Sequence, residues 1–330
     1  MTDRLTTRYR SRQTWRVRGV PPNLDKEGLT EALQCHPDLR HTDETTGTDN
    51  HGDNGNGVWV HTLAPDLRPS DQVATVRFRN LPTRLGRLSR NDQLTIDLPV
   101  PSENTHIGNK QKLEVTKLTI DQHFDGITVL ISPPGDEHQV DILAISGLGS
   151  HPFGSFVHKD DGHMWLSDRI SRDMPVARVM IYGFKSALQD STSFAHLGNL
   201  AGRLQNAICR LLQSGNEKRL VLIGHSLGGL LIKEALVQIA EPDSELAMID
   251  LIAGCLFFGV PNDGMDIGSL IPMVNNQPNR FLLESLATMN SQILGLQKRN
   301  FSRMLSRSDF EIFCFFETRL SPTAVKVYTL

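Results

Sequence analysis

The chain has 330 residues, 39% of them hydrophobic and 22% charged, with a formal charge of −3. That composition describes a globular protein with room for one large and one small domain, and it lacks the basic footprint of a nucleic-acid-binding domain. No run approaches the roughly 18 uninterrupted apolar residues of a membrane-spanning helix, and no apolar segment near the start reads as a secretory signal.

Residues 1–13 form a basic arm. Arg4, Arg8, Arg10, Arg12, Arg16 and Arg18 share the arginine bias of a mitochondrial transit peptide, but a solvated arm running into a strand is the simpler reading. Residues 14–20 alternate apolar and basic side chains, as a half-buried strand does. A turn at Pro21-Pro22-Asn23 follows, and Asp25 is placed to cap a helix with Leu29, Ala32 and Leu33 on its apolar side. Residues 42–57 are almost wholly polar and read as a disordered loop, since they cannot bury enough surface to offset their ordering entropy. Strand patterns at 58–63, 72–78 and 93–98 complete a small α+β domain over 14–98, ferredoxin-like in outline. Trp15 and Phe78 are candidate base-stacking residues there, but no aromatic ribonucleoprotein signature accompanies them, so nucleic acid is not expected as a partner. The basic residues on these strands are read as a solubilising sheet face.

Residues 99–112 have the polar, proline-bearing composition of a linker. Over 113–330, strand candidates at 113–120, 127–131, 139–145, 176–182, 219–223, 252–258 and 310–316 alternate with helical stretches. Among the latter, 195–212 carries Leu197, Leu200, Ala201, Leu204, Ile208 and Leu211 on one face. The alternation predicts a mostly parallel sheet with helices on both faces and ligands at the carboxyl ends of its strands.

The most informative segment is Arg219-Leu220-Val221-Leu222-Ile223-Gly224-His225-Ser226-Leu227-Gly228-Gly229-Leu230. A β-branched run enters Gly-x-Ser-x-Gly and an apolar helix leaves it, the strand–turn–helix context of a nucleophile elbow. Ser226 is the candidate nucleophile, and the amide of Leu227 one oxyanion donor. The second donor is expected in the glycine turn Ser146-Gly147-Leu148-Gly149-Ser150, with Leu148 and Gly149 as candidates. Glu317, after the strand 310–316, is the first choice of acid; Asp263, after 252–258, is the alternative. A serine needs a base to take its proton. Triads of this type run serine, acid, histidine along the chain, and no histidine follows Ser226. His225 adjoins the nucleophile but is expected to point elsewhere; His151, His158 and His163 are read as loop histidines. Cys35, Cys209, Cys255 and Cys314 show no metal-ligand spacing, and neither metal nor cofactor is expected.

Five segments, in order, carry a more specific likeness: 145–151 (Ile-Ser-Gly-Leu-Gly-Ser-His), 164–168 (Met-Trp-Leu-Ser-Asp), 177–183 (Ala-Arg-Val-Met-Ile-Tyr-Gly), 224–229 (Gly-His-Ser-Leu-Gly-Gly) and 256–261 (Leu-Phe-Phe-Gly-Val-Pro). Together they resemble the DUF676-type α/β-hydrolases, a group that includes serine active site-containing proteins and lipase-like domains heading fungal NACHT or NB-ARC proteins. The resemblance spans roughly 139–326 and implies an esterase- or lipase-like fold with Ser226 in the nucleophile's place. It also implies a small-molecule or lipid ester substrate, and membrane association without a spanning helix. Many members carry histidine where Ser146 stands, and Pro-His-Arg-Gly where this chain has Pro261-Asn262-Asp263-Gly264. Members continue into another strand and a catalytic histidine, so the chain is read as truncated and its hydrolysis as impaired. The alternative is a non-catalytic interaction module with a protein partner at an exposed sheet edge. A cytoplasmic location is expected, with mitochondrial or endoplasmic-reticulum membrane association as the alternative.

Overall fold

The computed structural model describes residues 13–40, 57–68, 70–107, 110–188, 191, 193–214, 218–241, 246–274, 276–288 and 291–318, and of 101–107, 110–114, 246 and 291 the backbone alone. The basic arm to residue 12 and the polar loop over 41–56 lie outside the described residues. The chain divides into two units: Met1–Phe124 with Thr128–Pro133 and Phe156–Pro175, and Asp125–Ile127 with Pro134–Ser155 and Val176–Leu330.

In the first unit, β1 (Trp15–Val20), α1 (Lys26–Cys35), β2 (Val58–Pro65), β3 (Gln72–Phe78), α2 (Thr83–Gly86), β4 (Gln93–Ile107) and β5 (Lys110–Asp121) build an antiparallel sheet in the order β2-β3-β1-β5-β4. Strands β1 and β2 both run antiparallel to β3 and flank it, the split β-α-β arrangement of a ferredoxin-like unit. The Asp25 carboxylate accepts from the Gly28 amide at 2.8 Å, so the expected cap is present. Leu29 and Leu33 of α1 are fully buried against the sheet core that contains Trp15 and Phe78. Both aromatics thus face the core rather than solvent. Two short helices, α3 (Trp165–Asp168) and α4 (Ile170–Asp173), belong to the same unit.

Two sequence readings change here. Residues 99–112 are not a linker: β4 and β5 form a long hairpin through them, and 113–120 lies in this sheet rather than in the parallel one. Pro99 and Pro101 suggested a break, but β4 is an edge strand, the place in a sheet where proline is tolerated. Arg16 is likewise no solubilising side chain, being only 1% exposed. Its Nε donates to Asp121 at 2.9 Å and its Nη1 to the Thr128 hydroxyl at 2.9 Å, while Asp121 also accepts from the Phe124 amide. Asp121→Ala is expected to strand this guanidinium and cost about 3–5 kcal/mol, measured by urea denaturation of the full chain. An unchanged midpoint would mean the pair does not support the fold.

The second sheet has the order β11-β10-β9-β7-β8-β6, with β6 (Gly126–Ile131), β7 (Val140–Ile145), β8 (Ala177–Gly183), β9 (Arg219–His225), β10 (Ile252–Phe258) and β11 (Glu311–Phe315). The pairings β7–β8, β7–β9, β9–β10 and β10–β11 are parallel. The helices are α5 (Leu197–Ser214), α6 (Leu227–Ala240), α7 (Leu246–Ile249), α8 (Arg280–Ser285) and α9 (Ser291–Leu305). This is an α/β-hydrolase type of architecture: a mostly parallel sheet with helices on both faces, the smaller antiparallel sheet belonging to the first unit. Helix α6 is apolar nearly all round because α5, α9 and β9 enclose it. From β7 the chain steps to β8, then crosses back over β7 to β9. That reversal makes the carboxyl ends of β7 and β9 the switch point where ligands bind in open α/β sheets.

Candidate active site

The turns leaving β7 and β9 meet at this switch point. Ile145 pairs with Gly224 in the sheet, so the glycine turn after β7 and the elbow after β9 emerge side by side. Ser226 has φ 52° and ψ −123°, a conformation L-residues rarely adopt. Its amide donates to the Phe258 carbonyl at 2.9 Å and its carbonyl accepts from the Gly229 amide at 3.0 Å, which ties the strained residue to β10 and to the first turn of α6.

The surrounding glycines are dictated by close approach. A Cβ on Gly224 would lie 2.6 Å from the Gly229 Cα, and one on Gly228 2.6 Å from the Ser146 carbonyl oxygen. One on Gly147 would lie 2.9 Å from the Ser226 Cβ and 3.2 Å from the His225 Nδ1. Gly147 is therefore the floor on which the serine side chain sits. The Ser226 side chain is half-buried, and no described residue hydrogen-bonds its hydroxyl.

The two oxyanion candidates after β7 separate. The Gly149 amide donates to the Ser186 carbonyl at 2.7 Å and is already used; Gly149 itself sits at φ 67°. The Leu148 amide has no acceptor among the described residues, and neither has that of Leu227 at the start of α6. Those two N–H groups, flanking Gly147 and Ser226, are the ones free to meet a negative charge. The Ser146 hydroxyl, by contrast, is fully buried with no described partner.

The two carboxylates separate as well. The segment after β10 runs along α6, with Val260 against Gly229 and the Asn262 side chain accepting from Lys233. It delivers Asp263 outward to an exposed ion pair with Lys298 of α9 at 3.0 Å. Glu317 instead stays beside the elbow. The Gly259 amide donates to the Phe315 carbonyl at 2.9 Å, and a Cβ on Gly259 would be 4.0 Å from the Glu317 Oε1.

The His225 Nδ1 lies beside Gly147, buried and without a described hydrogen-bond partner, and makes no bond to the Ser226 hydroxyl. Burial lowers its pKa, partly offset by the charge of Glu317, so the ring is neutral at pH 7. The three loop histidines named from the sequence have partners of their own. The His151 Nδ1 accepts from the Phe153 and Gly154 amides, which ties that nitrogen to its own loop. His158 pairs with Asp161, and His163 with Asp168. The Asp168 pKa would be raised by burial, but His61, the Met164 amide and Ser167 outweigh this and hold it at about 2.

His138 lies at the opposite, amino end of the strands, between Asp141 and Lys218 at 2.8 Å each. Burial lowers its pKa too. For both His138 and His225 the unfolded state binds protons that the folded state refuses. Stability therefore rises with pH through the ordinary histidine range and falls on acidification below about pH 6.5. Urea midpoints between pH 7.5 and pH 5.5 should fall, and fall less in His225→Asn; a flat profile would contradict the buried neutral ring.

Among the described residues no group of three or more His, Cys, Asp or Glu is placed to hold a metal ion. No helix of the described residues is long and apolar enough to cross a membrane.

Protein SERAC1 of Danio rerio is 26% identical over 172 residues, 49% of this chain and 25% of its own length. Protein SERAC1 of Bos taurus is 21% identical over 218 residues, 60% of this chain and 33% of its own. The chain thus spans a quarter to a third of the curated relatives it matches. The mature lipase BlEst2 of Bacillus licheniformis aligns over 61% of this chain and 76% of its own, at 11% identity and a TM-score of 0.45. Residues 157–259, which include the elbow, match the family model described as "Putative serine esterase (DUF676)".

Proposed function

We propose that this chain is a carboxylic-ester hydrolase that works through Ser226. The observation carrying this reading is the strained elbow over Gly147, with the Leu148 and Leu227 amides unoccupied on either side. The Ser226 Oγ adds to the ester carbonyl and gives its proton to solvent, while the two amides hold the oxygen that gains negative charge. Collapse expels the alcohol, which takes up a proton, and water then hydrolyses the acyl-serine to the acid and restores the hydroxyl. Glu317, beside the elbow, is the acid that would orient a protonated base. No described histidine is bonded to the serine hydroxyl, so the rate supported by these residues is that of an oxyanion hole with binding, about a thousandfold over water. The substrate class is a small or lipid ester, which the elbow leaves unspecified because the acyl pocket sets it. Hydrolysis of p-nitrophenyl acetate, butyrate and octanoate tests the reading: turnover above buffer that disappears in Ser226→Ala supports it. Equal turnover in both proteins refutes it.

A second reading is favoured by one observation. Strand β11 ends the described sheet; its Phe313 and Phe315, and Phe316 just after it, are 51%, 48% and 83% exposed. An apolar edge strand is a template for pairing with another chain, so the fold would serve as an interaction module. Folded protein with no esterase turnover, whose self-association or partner binding is lost in Phe316→Glu, would select this reading.

A further inference from the structure

Away from the elbow, the second unit contains a cavity of about 380 Å³ between α5, α6, α8 and α9. Its walls include Leu197, Phe281, Ile293 and Leu296, and the last three are 60%, 44% and 51% exposed, so the apolar lining continues to an open mouth. Glu234 of α6 contributes a carboxylate to this apolar space.

That carboxylate is held in place by neutral donors. Gln297, only 4% exposed, donates to the Glu234 Oε2 at 3.0 Å and to the Leu230 carbonyl at 3.1 Å. Gln238 donates to the Oε1 at 3.4 Å. No lysine, arginine or histidine pairs with Glu234 among the described residues, although His196 is also part of the lining. A carboxylate fixed on an apolar wall offers an ammonium group charge-assisted hydrogen bonds, about twice as strong as neutral ones. Two glutamines fix its orientation without cancelling its charge. The site lies eight residues beyond Ser226, about 12 Å along the helix, so it is separate from the elbow.

We infer that this cavity binds an amphiphilic monocation, an ammonium group on an alkyl or aryl body, with the ammonium on Glu234 and the body against Phe281, Ile293 and Leu296. Charge-assisted hydrogen bonding to the fixed carboxylate supplies selectivity, and burial of the apolar body supplies affinity. The volume is in the range of small-molecule sites.

Calorimetric titration of the full chain with n-octylammonium, n-octanol and octanoate tests this. Octylammonium is expected to bind at least tenfold tighter than octanol, and octanoate not detectably. The isosteric Glu234→Gln should bring octylammonium and octanol to equal affinity. Leu296→Ala, at an exposed position, should weaken both by the same factor. Sedimentation with phosphatidylethanolamine vesicles, competed by octylammonium, assigns the ammonium to a lipid headgroup; soluble binding without sedimentation assigns it to a free amine. No binding of octylammonium, equal binding of all three ligands, or unchanged selectivity in Glu234→Gln would overturn the inference. None of these readouts depends on Ser226.

Discussion

Gly228→Ala is expected to lower stability by about 3 kcal/mol and to abolish any chemistry at Ser226. The added Cβ would fall on the carbonyls of Ile145 and Ser146, backbone at the end of a central strand that cannot retreat. The cost is that of overpacking at a rigid junction, and it displaces the start of α6 where Leu227 presents its amide. Gly295→Ala is the matched control. Gly295 lies within α9 with nothing within 4 Å of its would-be Cβ, so alanine should stabilise by about 1 kcal/mol through helix propensity. Urea denaturation of the two variants should move the midpoint in opposite directions; a neutral Gly228→Ala would mean the elbow is looser than described.

Gly147→Ala is expected to separate chemistry from stability. Gly147 does not occupy the left-handed region, so alanine meets no backbone strain there. Its Cβ would meet the Ser226 Cβ at 2.9 Å and the His225 ring at 3.2 Å, directly where the nucleophile and the Leu148 amide must cooperate. Loss of one oxyanion donor costs about 100-fold or more in rate, whereas a single local overpacking costs about 1–2 kcal/mol of stability. Reactivity of Ser226 toward an electrophile, compared with the urea midpoint of the same variant, checks this. Retained reactivity would remove the β7 turn from the proposed site.

The elbow was legible because two local patterns coincide there: a β-branched run that folds as β9, and an apolar stretch that folds as α6, joined by glycines at positions of backbone contact. The parallel strands were legible for the same reason, each being a short apolar run between turns. What composition hid was long-range. Nothing local in Pro99-Val100-Pro101 shows that β4 is an edge strand tolerant of proline. The burial of Arg16 depends on Asp121, more than a hundred residues away, so alternating charge looked like a wet sheet face. The Gly149 amide was a reasonable oxyanion donor until Ser186 claimed it. The closeness of His225 to Gly147 is a contact between two strands' ends, which spacing within one motif does not reveal.

The most direct test of the central claim is covalent labelling of the purified chain with a fluorophosphonate, read by peptide mass mapping beside Ser226→Ala. The expected result is a single labelled peptide containing Ser226, formed slowly because no described base activates the hydroxyl, and absent from the variant. A folded chain that remains unlabelled, or a label that persists in Ser226→Ala, would contradict it.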